Sequence, residues 1–396
     1  MAVPLHEIVI LGGNMGGIAV AHYLLRNTLP ALQRVSTKKI VVTVVSPNTH
    51  YYFKLGVPRA AVCPDMIPQS KIMRPLSEGF AQYPEGSFKH IQAMATAHDP
   101  EKRTVTVSPS GKNTTVYSLH YDSLFIAAGT SSVSRIWTLG QDQSLTSEAL
   151  ETLHVQLPNA KTVLIAGAGP AGCEIAGEIS SAYPSCKITL LSGGPRLLPK
   201  FLEKTARRAQ NYFVKYTTVE IIHNVRVTST ETEAAATVVT LSDGNVRKVD
   251  LYIPATGGTP NSQFLLPEWL DATGRVATRD KYFRVRGKGS DDVTAEGVYV
   301  VGDIVSGSRN TAIELDAMVP VACSSFEVDF SKTLGSKGAI PVQKNYKPMK
   351  DTVILPIGRD GGVGSVMGWQ VPSWFVWLVK GRKFLMEKVD GYVFGS

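Results

Sequence analysis

The sequence predicts an α/β protein with two Rossmann-like dinucleotide-binding domains, β-meander insertions and a small C-terminal α+β region. Three observations carry that prediction. The stretch KTVLIAGAGPAGCEIAGE (161–178) reads as buried strand, glycine turn and helix start. A degenerate copy, HEIVILGGNMGGIAVAHYLL, stands about 155 residues earlier. Two apolar strands, in YDSLFIAAGT and IPATGGTPN, run into turns of small residues. Small residues at the C-terminal edge of a strand permit close approach of a ligand, and open α/β sheets bind ligands at that edge.

Each glycine of the 161–178 turn has a distinct task. Gly167 allows the tight turn, Gly169 lets the backbone approach a pyrophosphate, and Gly172 lets the helix lie close to the strand. The helix start offers free N–H groups to phosphate oxygens. One such motif is weak evidence, but two suggest two dinucleotides, one per domain. Residues 1–140 and 255–330 read as a first, discontinuous domain, 141–254 as a second, and 331–396 as the C-terminal part.

The composition fits this reading. With 43% apolar and 19% charged residues the chain is ordinary for a globular protein, so disorder is not expected. A formal charge of +8 admits anionic cofactors, an anionic membrane surface or nucleic acid. Nucleic acid is disfavoured because no Lys/Arg run exceeds two before the C-terminal tail. Cys63, Cys173, Cys186 and Cys323 form no CxxC pair and have no histidine at metal spacing, which argues against a dithiol active site and against bound metal. Strand one starts too early to leave room for a leader peptide, and the apolar stretch 366–379 is too short to span a bilayer. The expected location is the cytoplasm, with a membrane or lipid-droplet surface as a peripheral site and mitochondria as an alternative.

Along the chain, 17–29 has helical spacing closed by Pro30, and KIVVTVV (39–45) completes the first βαβ unit. The acid that often ends this second strand and binds a ribose hydroxyl is replaced by Ser46, so the ribose contact must be weaker or come from elsewhere. The segment PNTHYYFKLGVPR (47–59) reads as a loop, either along a cofactor or as surface with core aromatics. Strands of a meander follow over 88–107 and 114–118, and 138–147 reads as a linker. In the second unit, KITLLS (187–192) also lacks a terminal acid. Arg196, just beyond, is suited to a 2′-phosphate, which would admit NADPH beside NADH, or is simply solvated. Gly129 and Gly257 mark the two small-residue edges. Asp303, ending the buried strand GVYVVGD, is placed either to accept hydrogen bonds from a polyol or to cap a turn. In the region 354–386, Trp369, Trp374, Phe375 and Trp377 precede Lys380, Arg382 and Lys383. Such a pattern suits a membrane interface, the core of a small domain or a dimer contact; the preferred reading puts most rings in the core and some against a membrane or apolar substrate.

The motif order GGNMGG, YDSLFIAAGT, GAGPAGCEIAGE, ATGGTPN and GVYVVGD resembles the flavoprotein reductases with two dinucleotide-binding domains. GRDGGVG and LVKGRKF make the chain similar to their apoptosis-inducing-factor-like branch, which includes the ferroptosis suppressor protein. The resemblance implies noncovalent FAD in the first domain and NADH or NADPH in the second. It assigns FAD contacts to Gly12, Gly13, Gly16, Gly17, Arg59, Ala95 and Asp303. Asn14 departs from the third glycine of GGGxGG, and a small polar residue is tolerated there in a left-handed backbone. Glu174 and Lys380 match an acid and a lysine placed near the reacting rings. Taken alone, Glu174 is a helix-start acid favoured by the macrodipole, and Lys380 a solvated or lipid-facing cation. The implied activity is oxidation of NAD(P)H through FAD with a quinone-like apolar acceptor. A specialised metabolite or oxygen is a second acceptor class, and an NADH-responsive signalling or nucleic-acid-associated flavoprotein, in which NADH binding changes the oligomeric state, is a reading from another class.

Overall fold

The computed structural model describes residues 4–110, 115–140, 142–233, 236–288, 293–334 and 341–396. Position 114, where the sequence suggests a strand beginning, lies outside the described residues.

Two parallel sheets carry the two glycine turns. In the larger, seven-stranded sheet the order is Val298–Val300, Ser123–Ile126, Leu5–Leu11, Lys39–Ser46, Phe88–Asp99, Thr104–Pro109 and Tyr117–His120. The first five pair in parallel, and their central strands are buried apolar runs, as strands covered on both faces must be. Phe88–Asp99 joins two regimes: its first half pairs in parallel with Lys39–Ser46, and its second half turns antiparallel against Thr104–Pro109 across a register shift between Ala95 and Ala97. The second sheet is all parallel, in the order Val219–His223, Lys187–Ser192, Thr162–Ala166 and Leu251–Pro254. A three-stranded meander, Val227–Glu233, Ala236–Leu241 and Val246–Val249, forms a separate sheet whose Val239, Leu241 and Val249 pack with Leu164 and Leu191 of the parallel one. The pairing of Gly258–Pro260 with Thr130–Ser132 ties the edge of one nucleotide unit to that of the other.

Several elements differ from the sequence reading. The 47–59 segment is structured rather than a loop: His50–Tyr52 pairs with Met73–Pro75, and Val57–Val62 is helical. Tyr51, Tyr52 and Phe53 are fully buried, so their rings belong to the core. The linker read over 138–147 ends in a helix, Gln143–Gln156, whose Asp142 cap accepts from the Ser144 N–H at 2.9 Å. A 22-residue helix, Ala312–Thr333, packs on Met15–Tyr23. Thr311 caps it by accepting from the Glu314 N–H, the capping-box spacing, and the helix continues through Pro320.

The C-terminal part is a three-stranded antiparallel sheet, Val353–Pro356, Gly362–Val366 and Trp369–Val371, followed by the helical turns Ser373–Val376 and Trp377–Gly381. The expectation that most of its rings are core is corrected. Trp369, Trp374 and Trp377 are all exposed, while Phe384 is the ring that enters the core. Among the described residues, no helix is long and apolar enough to cross a membrane.

Candidate functional site

A cavity of about 520 Å³ opens at the C-terminal edges of the large sheet's parallel strands. Gly12, Gly13, Asn14 and Gly16 line it from the first turn, Ala95 from the meander strand, Gly129 from the small-residue edge, and Asp303 from the opposite side. Thr311 and Ala312, which start the long helix, also face it.

The two glycine turns are built alike. Gly12 has φ +122° and Gly167 φ +112°, conformations that strain any side chain. A Cβ on Gly12 would overlap the Ala127 carbonyl, and one on Gly167 the Ala255 carbonyl. A Cβ on Gly17 would strike the Gly12 carbonyl oxygen, and one on Gly172 that of Gly167. Gly17 and Gly172 therefore set helix–turn spacing, and Gly17 does not line the cavity. Asn14 and Gly169 occupy the same N-cap place with extended backbones, φ −117° and −75°. A left-handed backbone at Asn14 is therefore not needed; its side-chain oxygen accepts from the Tyr52 N–H at 3.1 Å and pins the neighbouring strand. A Cβ on Gly169 or Gly257 would meet only open space, so both keep a free face.

Among the described residues, Lys54 and Asp303 are the only ones with formal charge lining the cavity, and burial pulls the Lys54 ammonium below the usual lysine range while Asp303 opposes the shift. Crowded glycines, a helix start, one cation, one anion and polar amides fit a dinucleotide with an anionic middle and hydroxylated arms.

The structure brings Glu174 and Lys380 together. Glu174 lies on the helix Pro170–Ala182 of the second unit, Lys380 on the turn Trp377–Gly381, and Nζ sits 2.5 Å from Oε1 with both side chains buried. Glu178, one helical turn on, is fully buried on the same face and is held by Arg59 in a two-pronged pair at 2.7 and 2.8 Å. Arg59 also donates to the Gly381 carbonyl at 2.7 Å. The Phe384 ring lies beneath both cations, 4.5 Å from the Arg59 guanidinium carbon and 5.7 Å from Lys380 Nζ. Burial pushes the Glu174 carboxyl above the usual range, Lys380 opposes this, and Glu178 adds to it.

The structure does not bring Arg59 to the cavity: its donors are taken by Glu178 and the C-terminal turn. Arg196 donates from two of its guanidinium nitrogens to the Pro199 and Phe201 carbonyls of its own loop. Sequence reasoning missed Glu178, Lys54 and Asn48. Glu178 carried a signal, since two acids four apart on an otherwise apolar helix face both enter the interior and both need cations.

A cavity lies on one parallel sheet and a matching glycine turn on a second, and a third part is held to the second unit by the buried Lys380–Glu174 pair and to the first by the hydrogen bond from Arg59 to the Gly381 carbonyl. The chain belongs to the pyridine nucleotide-disulphide oxidoreductase family, whose pattern matches residues 6–317. It is accordingly a pyridine nucleotide-dependent flavoprotein oxidoreductase, with FAD and NADH or NADPH as its cofactors. Among its relatives, oxidoreductase phnG of Penicillium herquei is 31% identical, over 97% of this chain and 95% of its own length. Ferroptosis suppressor protein 1 of Homo sapiens is 24% identical over 96% and 94%. The sulfide:quinone oxidoreductase from Aquifex aeolicus superposes with a TM-score of 0.70 at 17% identity, over 99% of this chain and 93% of that one, a likeness of fold. All four cysteines of this chain are buried and unpaired, and none lines the cavity.

Proposed function

We propose that the protein oxidises NADH or NADPH through FAD held in the cavity and passes the electrons to a quinone-like apolar acceptor. The Gly12–Asn14 turn and the helix start behind it receive the pyrophosphate, and the Asp303 carboxylate accepts from the polyol arm. NAD(P)H lies on the Gly167–Gly172 turn. FAD supplies the chemistry, since it accepts hydride from the nicotinamide and releases electrons singly or in pairs.

The chain's own residues position and enclose. Glu174 and Lys380 act together: the pair, joined by the hydrogen bond from Nζ to Oε1, fixes the C-terminal turn against the nicotinamide-side helix and keeps water out. The observation that carries the acceptor assignment is the turn Trp377–Gly381 itself. Its Lys380 end is buried against Glu174, and its Trp377 and Leu378 end is exposed beside Trp374. One turn thus links the buried pair to an apolar outer face, which suits an apolar acceptor and a membrane surface that holds it.

Steady-state oxidation of NADH and of NADPH, with and without a soluble ubiquinone analogue, tests this reading. Stimulation by the analogue is expected. Equal rates with and without it, alongside turnover with oxygen or another acceptor, sink the quinone assignment.

A further inference from the structure

We propose that the groove between the 66–74 segment and residues 382–390 binds the phosphate head group of an anionic phospholipid, on the face where the C-terminal tryptophans are exposed. The inference deepens the apolar-acceptor reading above by naming the surface, and its test keeps the two separable.

The groove encloses about 470 Å³ and shares no lining residue with the flavin cavity. Met66, Ile67, Met386 and Val389 give it apolar walls. Two of its cations are committed: Arg59 holds Glu178, and Arg74 holds Glu78 and Asp390. Lys71, Arg382 and Lys383 also line it, all exposed and, among the described residues, without a side-chain partner. Of the lining acids, only Glu387 is left to set against them. The backbone is bent to build this site. Phe384 and Leu385 both take left-handed conformations, φ +51° and +59°, which are costly for residues with side chains. The bend brings Arg382 and Lys383 on one arm and Met386 and Val389 on the other to the same groove. The Arg382 N–H donates to the Trp377 carbonyl at 2.7 Å, so the basic pair follows the exposed Trp377 and Leu378 by one wide helical turn. Exposed rings and aliphatic side chains beside free cations match an anionic membrane surface, where rings sit at head-group level and cations meet phosphate. Guanidinium and ammonium donors suit phosphate oxygens, and flexible methionines suit the apolar region below them. A second copy of this chain is a poor occupant, because a self-matched contact would set these cations against themselves.

Flotation of the holoenzyme with quinone-free vesicles is the test. One set is phosphatidylcholine, the other phosphatidylcholine and phosphatidylglycerol in equal parts. Binding to the anionic set alone is expected, weakening as salt rises. One cation near such a surface is worth about fivefold in affinity, so Lys71→Gln/Arg382→Gln/Lys383→Gln should bind about a hundredfold more weakly. Lys89→Gln/Lys161→Gln/Lys187→Gln removes the same charge from exposed positions outside the groove and should keep most of the binding. Flavin absorbance and circular dichroism check that each variant is folded and loaded. If the groove variant is not, Lys71→Gln/Lys383→Gln replaces it, with an expected loss of about thirtyfold. Equal binding to both vesicle sets, or equal losses in the two triple variants, overturns the proposal. So does a groove variant that loses inorganic phosphate, measured by calorimetry, yet keeps vesicle binding, since the groove then takes a free anion. Because the vesicles hold no quinone, absent vesicle binding with intact turnover of the soluble ubiquinone analogue refutes this inference alone. Vesicle binding without quinone turnover supports it and refutes the acceptor reading alone.

Discussion

Replacing Lys380 by Met leaves the Glu174 carboxylate buried, one helical turn from the equally buried Glu178. Removing one partner of a buried pair costs about 3–5 kcal/mol, because the remaining charge has lost its counterion and cannot reach water. Glu174→Gln should cost a similar amount by stranding the Lys380 ammonium. The double variant Glu174→Gln/Lys380→Met has no isolated charge and should recover more than half of either loss. The pH dependence separates this from ordinary cavity formation. In Lys380→Met the folded-state pKa of Glu174 rises further above its unfolded value, so the folded state binds the extra proton. Stability then falls as pH rises from the unfolded pKa to the folded one, by about 1.4 kcal/mol per unit, and acidification rescues the variant. Urea unfolding of the four proteins at about pH 5.5 and about pH 8, followed by far-UV circular dichroism, measures both effects; these two pH values bracket neutrality, inside the range where buried carboxyls titrate. Additive losses with no pH dependence would show that the 2.5 Å contact is not an energetic pair.

Other outcomes follow from the same geometry. Arg59→Met should destabilise by about 3–5 kcal/mol by stranding Glu178, and Arg59→Lys should recover only part of this, since lysine lacks the second prong. Gly172→Ala should force the helix off the Gly167 turn at about 1–3 kcal/mol and raise the Kd for NADH while flavin binding is unchanged; Gly17→Ala should do the reverse. Arg196→Ala should leave the ratio of NADPH to NADH turnover unchanged, because its guanidinium serves its own loop. Burial pushes His6, His22 and His98 down to about 4. The unfolded chain therefore binds more protons below pH 6.5, and each histidine should remove about 2 kcal/mol of stability by pH 5, measurable as a falling Tm.

The parts of the molecule legible in sequence are those whose residue types are dictated locally. Gly12, Gly17, Gly167 and Gly172 stand where the backbone allows no Cβ, so both nucleotide turns could be read directly. The contact of Glu174 with Lys380 spans 206 residues and was visible only through family resemblance. What stayed hidden depends on packing between distant segments. Arg59 could serve a phosphate or a carboxylate, and only the approach of Glu178 and Gly381 decides which. The helix Ala312–Thr333 announces itself in its Thr311–Glu314 cap, but Pro320 hides its length. The C-terminal tryptophans have the composition of a core, and only the tertiary structure shows that Trp369, Trp374 and Trp377 stay outside it.

The central claim, electron flow from NAD(P)H through FAD to an apolar quinone, is tested most directly by an anaerobic two-stage reaction followed by flavin absorbance. The account predicts bleaching on addition of one equivalent of NADH and full recovery of the oxidised spectrum on addition of a soluble ubiquinone analogue. A flavin that NADH does not bleach, or a bleached flavin that the quinone leaves reduced while oxygen restores it, would contradict the account.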